Sequence, residues 1–526
     1  MRDAYQRRAA AAPTLLSLMT EFDTPHVIGL DLGTGGARAV IVSATGQLQA
    51  IRSVDFGVAK RTETMPANWH EQDPDAWWQA AIESVQGVVE AFEAKGGRRS
   101  CLRALAIDGT SGTVLGVDAE GDPCTQALMY NDGRAVDEAR EWTRISQCGG
   151  EQRGTAVAAS WSLAKMRWLE SHDSDGFAAT HHFAHQADYI AAKLTGRPGI
   201  TDASNALKSG FDPSRMCWPE WIGDRPELLR RLPTVVECGA SLGMAAADAA
   251  QALHLPPDIE IIAGASDGTA GFLASGAKQV GDDNTTLGTT LVFKRLALQP
   301  AEDPEGLVYS HRLPGECAAD GTLEARWLPG AASSVGGEWI RSEHGGQDLR
   351  KLDAAAAARL PIDALAYPLV RQGERFPFQA PAAVGFCDLE GGDRAALFAA
   401  KLQGVALLER LAYERLDSVT ASEPDRRQGA VFATGGGSAS DVWMQLRSDV
   451  SGRRFHRPQC PESAFGSAVL AAANTLHDGL WQAMRSMLRT EASFHPDLNR
   501  HEQYSELFAR FRERLLERGY LNPDTV

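Results

Sequence analysis

An apolar run from Val27 to Leu30 ends in Asp31, turns through Gly33, Thr34, Gly35 and Gly36, and returns as the alternating run Ala37 to Val42. The pattern predicts a strand, a tight turn and a return strand. Glycines 33, 35 and 36 carry no Cβ, so backbone N–H groups there can close on an anion. Asp31 stands where the strand ends, placed to hold a metal through water. A carboxylate meeting a phosphate suggests metal–nucleotide chemistry. An ordinary Gly-rich hairpin has the same local pattern, so this stretch alone leaves both readings open. Two other phosphate loops are excluded. No G-x-x-x-x-G-K-[ST] occurs in the chain,. A Rossmann fingerprint needs a helix after G-x-G-x-x-G, whereas Arg38 holds the last glycine position and Ala39 to Val42 is strand-like,.

Three further stretches repeat the theme of an apolar strand delivering small residues. Leu102 to Ile107 leads into Asp108-Gly109-Thr110-Ser111-Gly112-Thr113. Ile259 to Ala265 leads into Ser266 and Asp267, then a small-residue helix from Gly271 to Gly276. There the carboxylate is either a base for a hydroxyl or a helix cap. Ala430 to Thr434 leads into Gly435, Gly436 and Gly437, then a helix with Ser440 as its cap,. Three glycines between strand and helix let backbone approach something flat or anionic, which a base and an α-phosphate satisfy. Leu287-Gly288-Thr289-Thr290, just after a boundary at Gly281, partly echoes Leu32-Gly33-Thr34 and fits a duplicated fold,.

Other elements are read more simply. Asp73 and Pro74 open a helix that ends near Gly96, and Trp69, Trp77 and Trp78 read as core,. Ser160 to Leu169, Phe183 to Leu194 and Ser463 to Leu476 read as helices, with Asp202 and Asn205 in a loop. Asp132 and Arg134 are either a salt bridge or a polyol-binding pair, and Lys165 reads as packing,. Tyr504, Phe508, Phe511 and Leu515 form a helical stripe that docks on the second domain.

With 526 residues the chain exceeds one core, and two domains of about 200–250 residues are expected,. A net charge of −16 argues against a nucleic-acid binder, and no apolar run is long enough to span a bilayer,. Eight scattered cysteines without a C-x-x-C pair imply free thiols in a reducing, cytoplasmic setting,. Residues 1–24 read as a disordered extension; a plastid location follows if they are a remnant transit segment,.

Taken in order, several motifs resemble the FGGY family of carbohydrate kinases over about residues 25 to 520. They are Asp31-Leu32-Gly33-Thr34, Glu71-Gln72-Asp73-Pro74 before paired tryptophans, Asn131-Asp132-Gly133-Arg134, Gly264 to Gly271, Leu287-Gly288-Thr289-Thr290 and Gly435-Gly436-Gly437. The resemblance implies an α/β, actin/hexokinase/Hsp70-like (ribonuclease H-like) duplicated two-domain fold with a central ATP/sugar cleft. The sugar-binding domain would span 25–280, and the nucleotide-binding domain 281–526 with its C-terminal helix. Within the family, Asp108 to Leu115, His185-Gln186-Ala187-Asp188, Asp202 to Lys208 and Phe272 to Ala277 look like the D-ribulose kinase branch of cyanobacteria and plants. Bacterial xylulose kinases usually carry a His-Gly-Gln type loop where this chain has Thr110-Ser111-Gly112.

The resemblance implies phosphoryl transfer from Mg-ATP to a ketopentose primary hydroxyl, most directly D-ribulose to D-ribulose 5-phosphate. D-xylulose, another polyol, or a catalytically silent nucleotide-binding regulator are the alternatives. An actin- or chaperone-like ATPase is disfavoured by the 131–134 loop and the Asp267 stretch. By resemblance Asp267 is the general base, and Asp31 positions Mg²⁺ through water, with Asp108 a second metal candidate. Ser111, Asp132, Asp267 and Asp31 would meet the substrate. Gly33, Thr34 and Gly35 would hold the γ-phosphate, and Gly288, Thr289 and Thr290 would hold the phosphates from the other domain. Gly436, Gly437 and Asp441 would border the adenosine, with Asp441 standing where many members place Asn. ATP, Mg²⁺ and a sugar are the implied small molecules, with no nucleic acid or membrane partner, on a monomer or homodimer.

Overall fold

The computed structural model describes residues 24–57, 65–148, 156–317, 323–389, 391, 393–420 and 429–522. The extension expected over 1–24 lies outside them apart from Thr24. Strand β1 (His26–Leu32) pairs antiparallel with β2 (Gly36–Ser43), placing Asp31 opposite Arg38. β3 (Leu48–Asp55) continues the meander. β4 (Leu102–Gly109) runs parallel to β1, and β6 (Glu260–Ser266) runs parallel to β4. β5 (Ser241–Met244) closes the edge antiparallel to β6. The order is therefore β5-β6-β4-β1-β2-β3.

The central strands are apolar on both faces because both faces are covered, and period-two alternation divides them. Ile28, Leu30 and Leu32 pack with Leu105 and Ile107 beneath α1 (Pro74–Ala94). Asp73 caps that helix as expected, its Oδ1 accepting from Asp75 N at 3.0 Å. Two more helices serve this sheet, α2 (Gln186–Thr195) before β6 and α3 (Asp267–Ser275) directly after it.

The second sheet repeats the plan. β7 (Asp283–Leu287), β8 (Leu291–Arg295), β9 (Tyr309–Cys317), β10 (Leu323–Ser333), β11 (Val431–Thr434), β12 (Phe455–Pro458) and β13 (Thr490–Phe494) lie in the order β9-β10-β8-β7-β11-β12-β13. The run β10-β8-β7-β11-β12-β13 matches β3-β2-β1-β4-β6-β5 in order and direction: an antiparallel meander, two parallel strands and an antiparallel edge. Among the described residues β9 has no counterpart. α4 (Arg394–Val419), α5 (Asp441–Ser451) and α6 (Ser463–Ala473) fall where α1, α2 and α3 fall in the first half.

The halves are joined through helix–sheet packing. Val27, Val40, Val42, Ala104 and Ala106, on the sheet face opposite α1, pack against Ala464, Ala468 and Leu470 of α6. Small residues allow this: a Cβ on Gly29 would lie 1.8 Å from Ala464 O, and one on Gly466 would lie 1.8 Å from Ala270 O in α3. Phe432 of β11 and Phe272 of α3 complete the same core. A third helix, α7 (Leu498–Glu517), docks the expected stripe of Tyr504, Phe508, Phe511 and Leu515 into the core of the second half.

Three local expectations change. His182–Ala184 is a short strand paired with Leu115–Val117, so α2 begins only at Gln186, where His185 and Asp188 form a capping box,. Asp202 and Asn205 are not in a loop: Asp202 ends a strand and caps a short helix by accepting from Ser204 N and Asn205 N. The helix after β6 starts at Asp267, with Ser266 as N-cap. Among the described residues, Cys101, Cys124, Cys217, Cys238, Cys387 and Cys460 are free thiols. No helix of the described chain is long and apolar enough to cross a membrane.

Candidate active site

β1, β4 and β6 are parallel neighbours, so they deliver their C-terminal residues to one edge of the sheet, where ligands of such sheets gather,. The register sets Asp31 beside Asp108, and Ala265 beside Asp108, with Asp267 two residues on. Asp108 is fully buried and lies on the α6 face, where Ser467 Oγ donates to its Oδ2 at 2.6 Å. Its Oδ1 is buried without a donor. Burial and the charge of Asp31 hold the Asp108 carboxyl well above the usual range. Burial likewise raises Asp31 and the charge of Asp267 adds to this, opposed by a hydrogen bond with the Asp108 carboxyl and by the charge of Arg38. Two facing carboxylates short of positive charge fit a divalent cation.

Asp267 is raised by burial, opposed by the N–H groups of Gly268 and Ser111 and by the charges of Lys208 and Lys294. Gly268 N donates to its Oδ1 at 2.7 Å. Ser463 Oγ of α6 donates to its main-chain oxygen at 3.3 Å. Asp267 thus stands in the first turn of α3, its carboxylate met by an N–H of its own helix and by the N–H of the Ser111 loop, while α6 of the other half ties down its main chain.

The Ser111 loop is pinned on both sides. The Ser111 hydroxyl is buried without a partner among the described residues, and Lys208 Nζ donates to its carbonyl at 3.2 Å. Lys165, read from sequence as packing, donates to Gly112 O at 3.0 Å, Met129 O at 2.5 Å and Ser160 O at 3.0 Å. Three acceptors match the three donors of an ammonium. Burial nevertheless pushes Lys165 down to about 7. Gln186 ties this loop to the first hairpin, accepting from Thr110 N at 3.0 Å and donating to Gly33 O at 3.4 Å.

Asp132, expected to meet sugar hydroxyls, is fully buried, and its oxygens accept from His70 N, Arg134 N and the Arg134 guanidinium at 2.6–3.0 Å. Arg134 also pairs with Glu71 at 2.7 Å and stacks 3.8 Å over Trp69, so Trp69 is a guanidinium shelf rather than plain core.

The two Gly/Thr turns occupy equivalent places, between β1 and β2 and between β7 and β8. Gly33 N donates to Gly36 O, and Gly288 N to Thr290 O, each at 3.0 Å. A Cβ on Gly35 would meet nothing within 4 Å, so room exists there for an anion. Arg341 Nη2 donates to Thr289 Oγ1 at 3.0 Å, an exposed guanidinium at the second turn that the sequence pattern did not reveal. Of the three glycines after β11, Gly435 has φ +78 and a Cβ there would lie 2.6 Å from Leu287 O, whereas Gly436 faces open space. Ser440 caps α5 as expected, accepting from Trp443 N at 3.1 Å. Asp441 is ion-paired to Arg457, whose Nε donates to Ser438 O at 2.7 Å. A groove of about 370 Å³ beside it is walled by Ala357, Leu360, Val442 and Leu446, a fit for a flat ring.

The model for the N-terminal domain of the FGGY family of carbohydrate kinases matches residues 26–274, and that for the C-terminal domain matches residues 284–475. The chain belongs to this family. A xylulose kinase of Staphylococcus epidermidis is 23% identical over 497 residues, covering 92% of this chain and 95% of that one. A xyloylose kinase from Brucella ovis superposes with a TM-score of 0.81 at 22% identity, over 94% of this chain and all (100%) of the other. A xylulose kinase from Rhodospirillum rubrum superposes at 0.79 with 25% identity, over 94% and 98%. The expected α/β actin/hexokinase-like fold is thus the one found. This chain is an ATP-dependent carbohydrate kinase that uses ATP with Mg²⁺.

Proposed function

We propose that this kinase transfers the γ-phosphoryl group of ATP to the primary hydroxyl of D-ribulose, giving D-ribulose 5-phosphate in the cytoplasm. Residues 25–280 bind the sugar and residues 281–526 the nucleotide. The observation that carries the reading is the Ser111 hydroxyl, buried without a partner on a loop whose N–H already meets the Asp267 carboxylate. A sugar oxygen in that place is held by Ser111 while Asp267 takes its proton. A small hydroxyl residue there, rather than the His-Gly-Gln type loop of xylulose kinases, favours ribulose.

Catalysis then rests on alignment and charge. Asp267 accepts the hydroxyl proton as oxygen attacks phosphorus. The turns at Gly33–Gly35 and Gly288–Thr290 hold the phosphate oxygens from opposite halves, and Gly436, Gly437 and Asp441 border the adenosine. Asp31, through water, and Asp108 would hold Mg²⁺. No cluster of three His, Cys, Asp or Glu among the described residues is spaced to hold a metal, so these two acids would hold the cation together with water and phosphate oxygens,. Bound there, the cation neutralises phosphate charge. Closing the halves on both substrates excludes water.

D-Xylulose is the second reading, favoured by the names of the relatives. The test is kcat/KM for ADP release with Mg-ATP across D-ribulose, L-ribulose, D-xylulose and glycerol. D-Ribulose is expected to exceed the others by about tenfold or more, the range a few misplaced hydroxyls produce. A higher value for D-xylulose would change the sugar and keep the chemistry. Background turnover with every sugar would contradict the kinase mechanism.

A further inference from the structure

Two lysines from opposite halves face Asp267, and no step above uses them. Lys208 follows the short helix capped by Asp202, and its Nζ donates to Ser111 O at 3.2 Å. Its stem packs where a Cβ on Gly112 would lie 3.2 Å from Cδ. Lys294 lies on β8, four residues past Thr290. Period-two alternation therefore puts Thr290, Val292 and Lys294 on one sheet face, while Leu291 and Phe293 enter the core of the second half,. The face bearing the phosphate turn is thus the face bearing Lys294. The side chain is 5% exposed, its Cε 3.5 Å from where a Cβ on Gly268 would stand. Among the described residues it forms no salt bridge. Burial and nearby Lys208 push it down to about 7, against the pull of Asp267.

A buried lysine without a salt-bridged carboxylate is costly unless an anion visits it. His311 of β9, 3% exposed and 3.3 Å from Ser204 Oγ, does not supply one, and burial beside both lysines keeps it neutral. The remaining charges facing this spot are Asp267 itself, with Asp31 and Asp108 beyond it. Lys294 therefore lies on the strand that leaves the turn expected to present a phosphate, with its Cε against Gly268, the residue after the carboxylate that would receive a proton, and within the electrostatic reach of Lys208.

We propose that Lys294 and Lys208 form a clamp for the phosphoryl group in transit and for the phosphate ester it becomes. The inference rests on the kinase reading above. As the bond from phosphorus to the sugar oxygen forms and the bond to the ADP oxygen breaks, the hydroxyl proton passes to Asp267 and ADP carries away the electron pair. The two ammonium groups meet the equatorial oxygens of the transferring group. Arrival of that anion is what keeps Lys294 protonated at neutral pH. Lys294 is then a catalytic residue contributed by the nucleotide half to the sugar side of the cleft.

Lys294→Met keeps the length of the side chain and removes a buried charge, so its thermal midpoint should equal or exceed that of the wild type. Its kcat should fall about 100-fold or more, with KM for sugar and ATP changed by less than about threefold, the signature of a contact absent from the substrate complex and made once the phosphoryl group is in transit. Inhibition by D-ribulose 5-phosphate should weaken about tenfold or more, and Lys294→Arg should restore part of both. Lys208→Met should weaken the same inhibition. A Lys294→Met enzyme with wild-type kcat and product inhibition would overturn the clamp. If the wild type shows no sugar-dependent ADP release, the kinase reading itself has failed. Inorganic phosphate binding measured by calorimetry then decides the clamp: loss in Lys294→Met upholds it, and equal binding in both proteins overturns it.

Discussion

At the scale of single residues, the account turns on Asp267. Asp267→Asn should retain ATP and sugar binding while kcat falls about 100-fold or more, as for loss of a positioned base. Burial raises this carboxyl, so its proton-accepting form disappears at a higher pH than for a free aspartate. In the wild type, kcat should therefore decline as pH falls through a value above that of a free aspartate, and this acid limb should vanish in Asp267→Asn,. Ser111→Ala should raise KM for the sugar several-fold and leave KM for ATP unchanged, read from initial rates. The three acids were legible because each ends or follows an apolar run. Asp132 and Arg134 left two readings open in the sequence, because an acid and a guanidinium two residues apart look alike whether buried or open to a cleft. Lys294 gave no local signal, since a lysine in an alternating strand reads as solvent-facing. The three-carbonyl cage of Lys165 joins positions 112, 129 and 160, which no local pattern connects.

Among the elements, α6 matters most, because a helix from the second half sits on the first sheet and bonds the Asp108 carboxyl and the main chain of Asp267. Gly466→Ala should lower the thermal midpoint despite the better helix propensity of alanine. The added Cβ would stand 1.8 Å from Ala270 O, and overpacking of this kind typically costs about 1–3 kcal/mol,. A midpoint at or above wild type would show that the α3–α6 contact gives way easily. Ser467→Ala removes the donor to Asp108 Oδ2 and should raise the Mg²⁺ concentration needed for half-maximal activity,. The helix itself was visible as an alanine-rich run after Ser463. Its insertion between the halves was not, because small residues announce close packing without naming the partner. Similarly, Phe183 and Ala184 look helical by composition, and only their pairing with Leu115 and Gly116 makes them strand.

For the whole molecule, the two sheets share one order of strands, and the Gly/Thr turns at 33–35 and 288–290 fall in equivalent hairpins. A three-residue echo in sequence was a thin sign of that duplication, since the halves preserve strand direction rather than residue identity. The extra strand β9 and the shared core around α3 and α6 could not be read from either half alone. That arrangement places the proposed proton acceptor in one half and the second phosphate turn in the other, so chemistry needs both. The most direct measurement is ADP release by the purified protein with Mg-ATP, with and without D-ribulose, in wild type and Asp267→Asn. The account predicts strong stimulation by the sugar in the wild type, reduced about 100-fold or more in the variant. Equal turnover with and without sugar, or stimulation of wild-type size in Asp267→Asn, would contradict it.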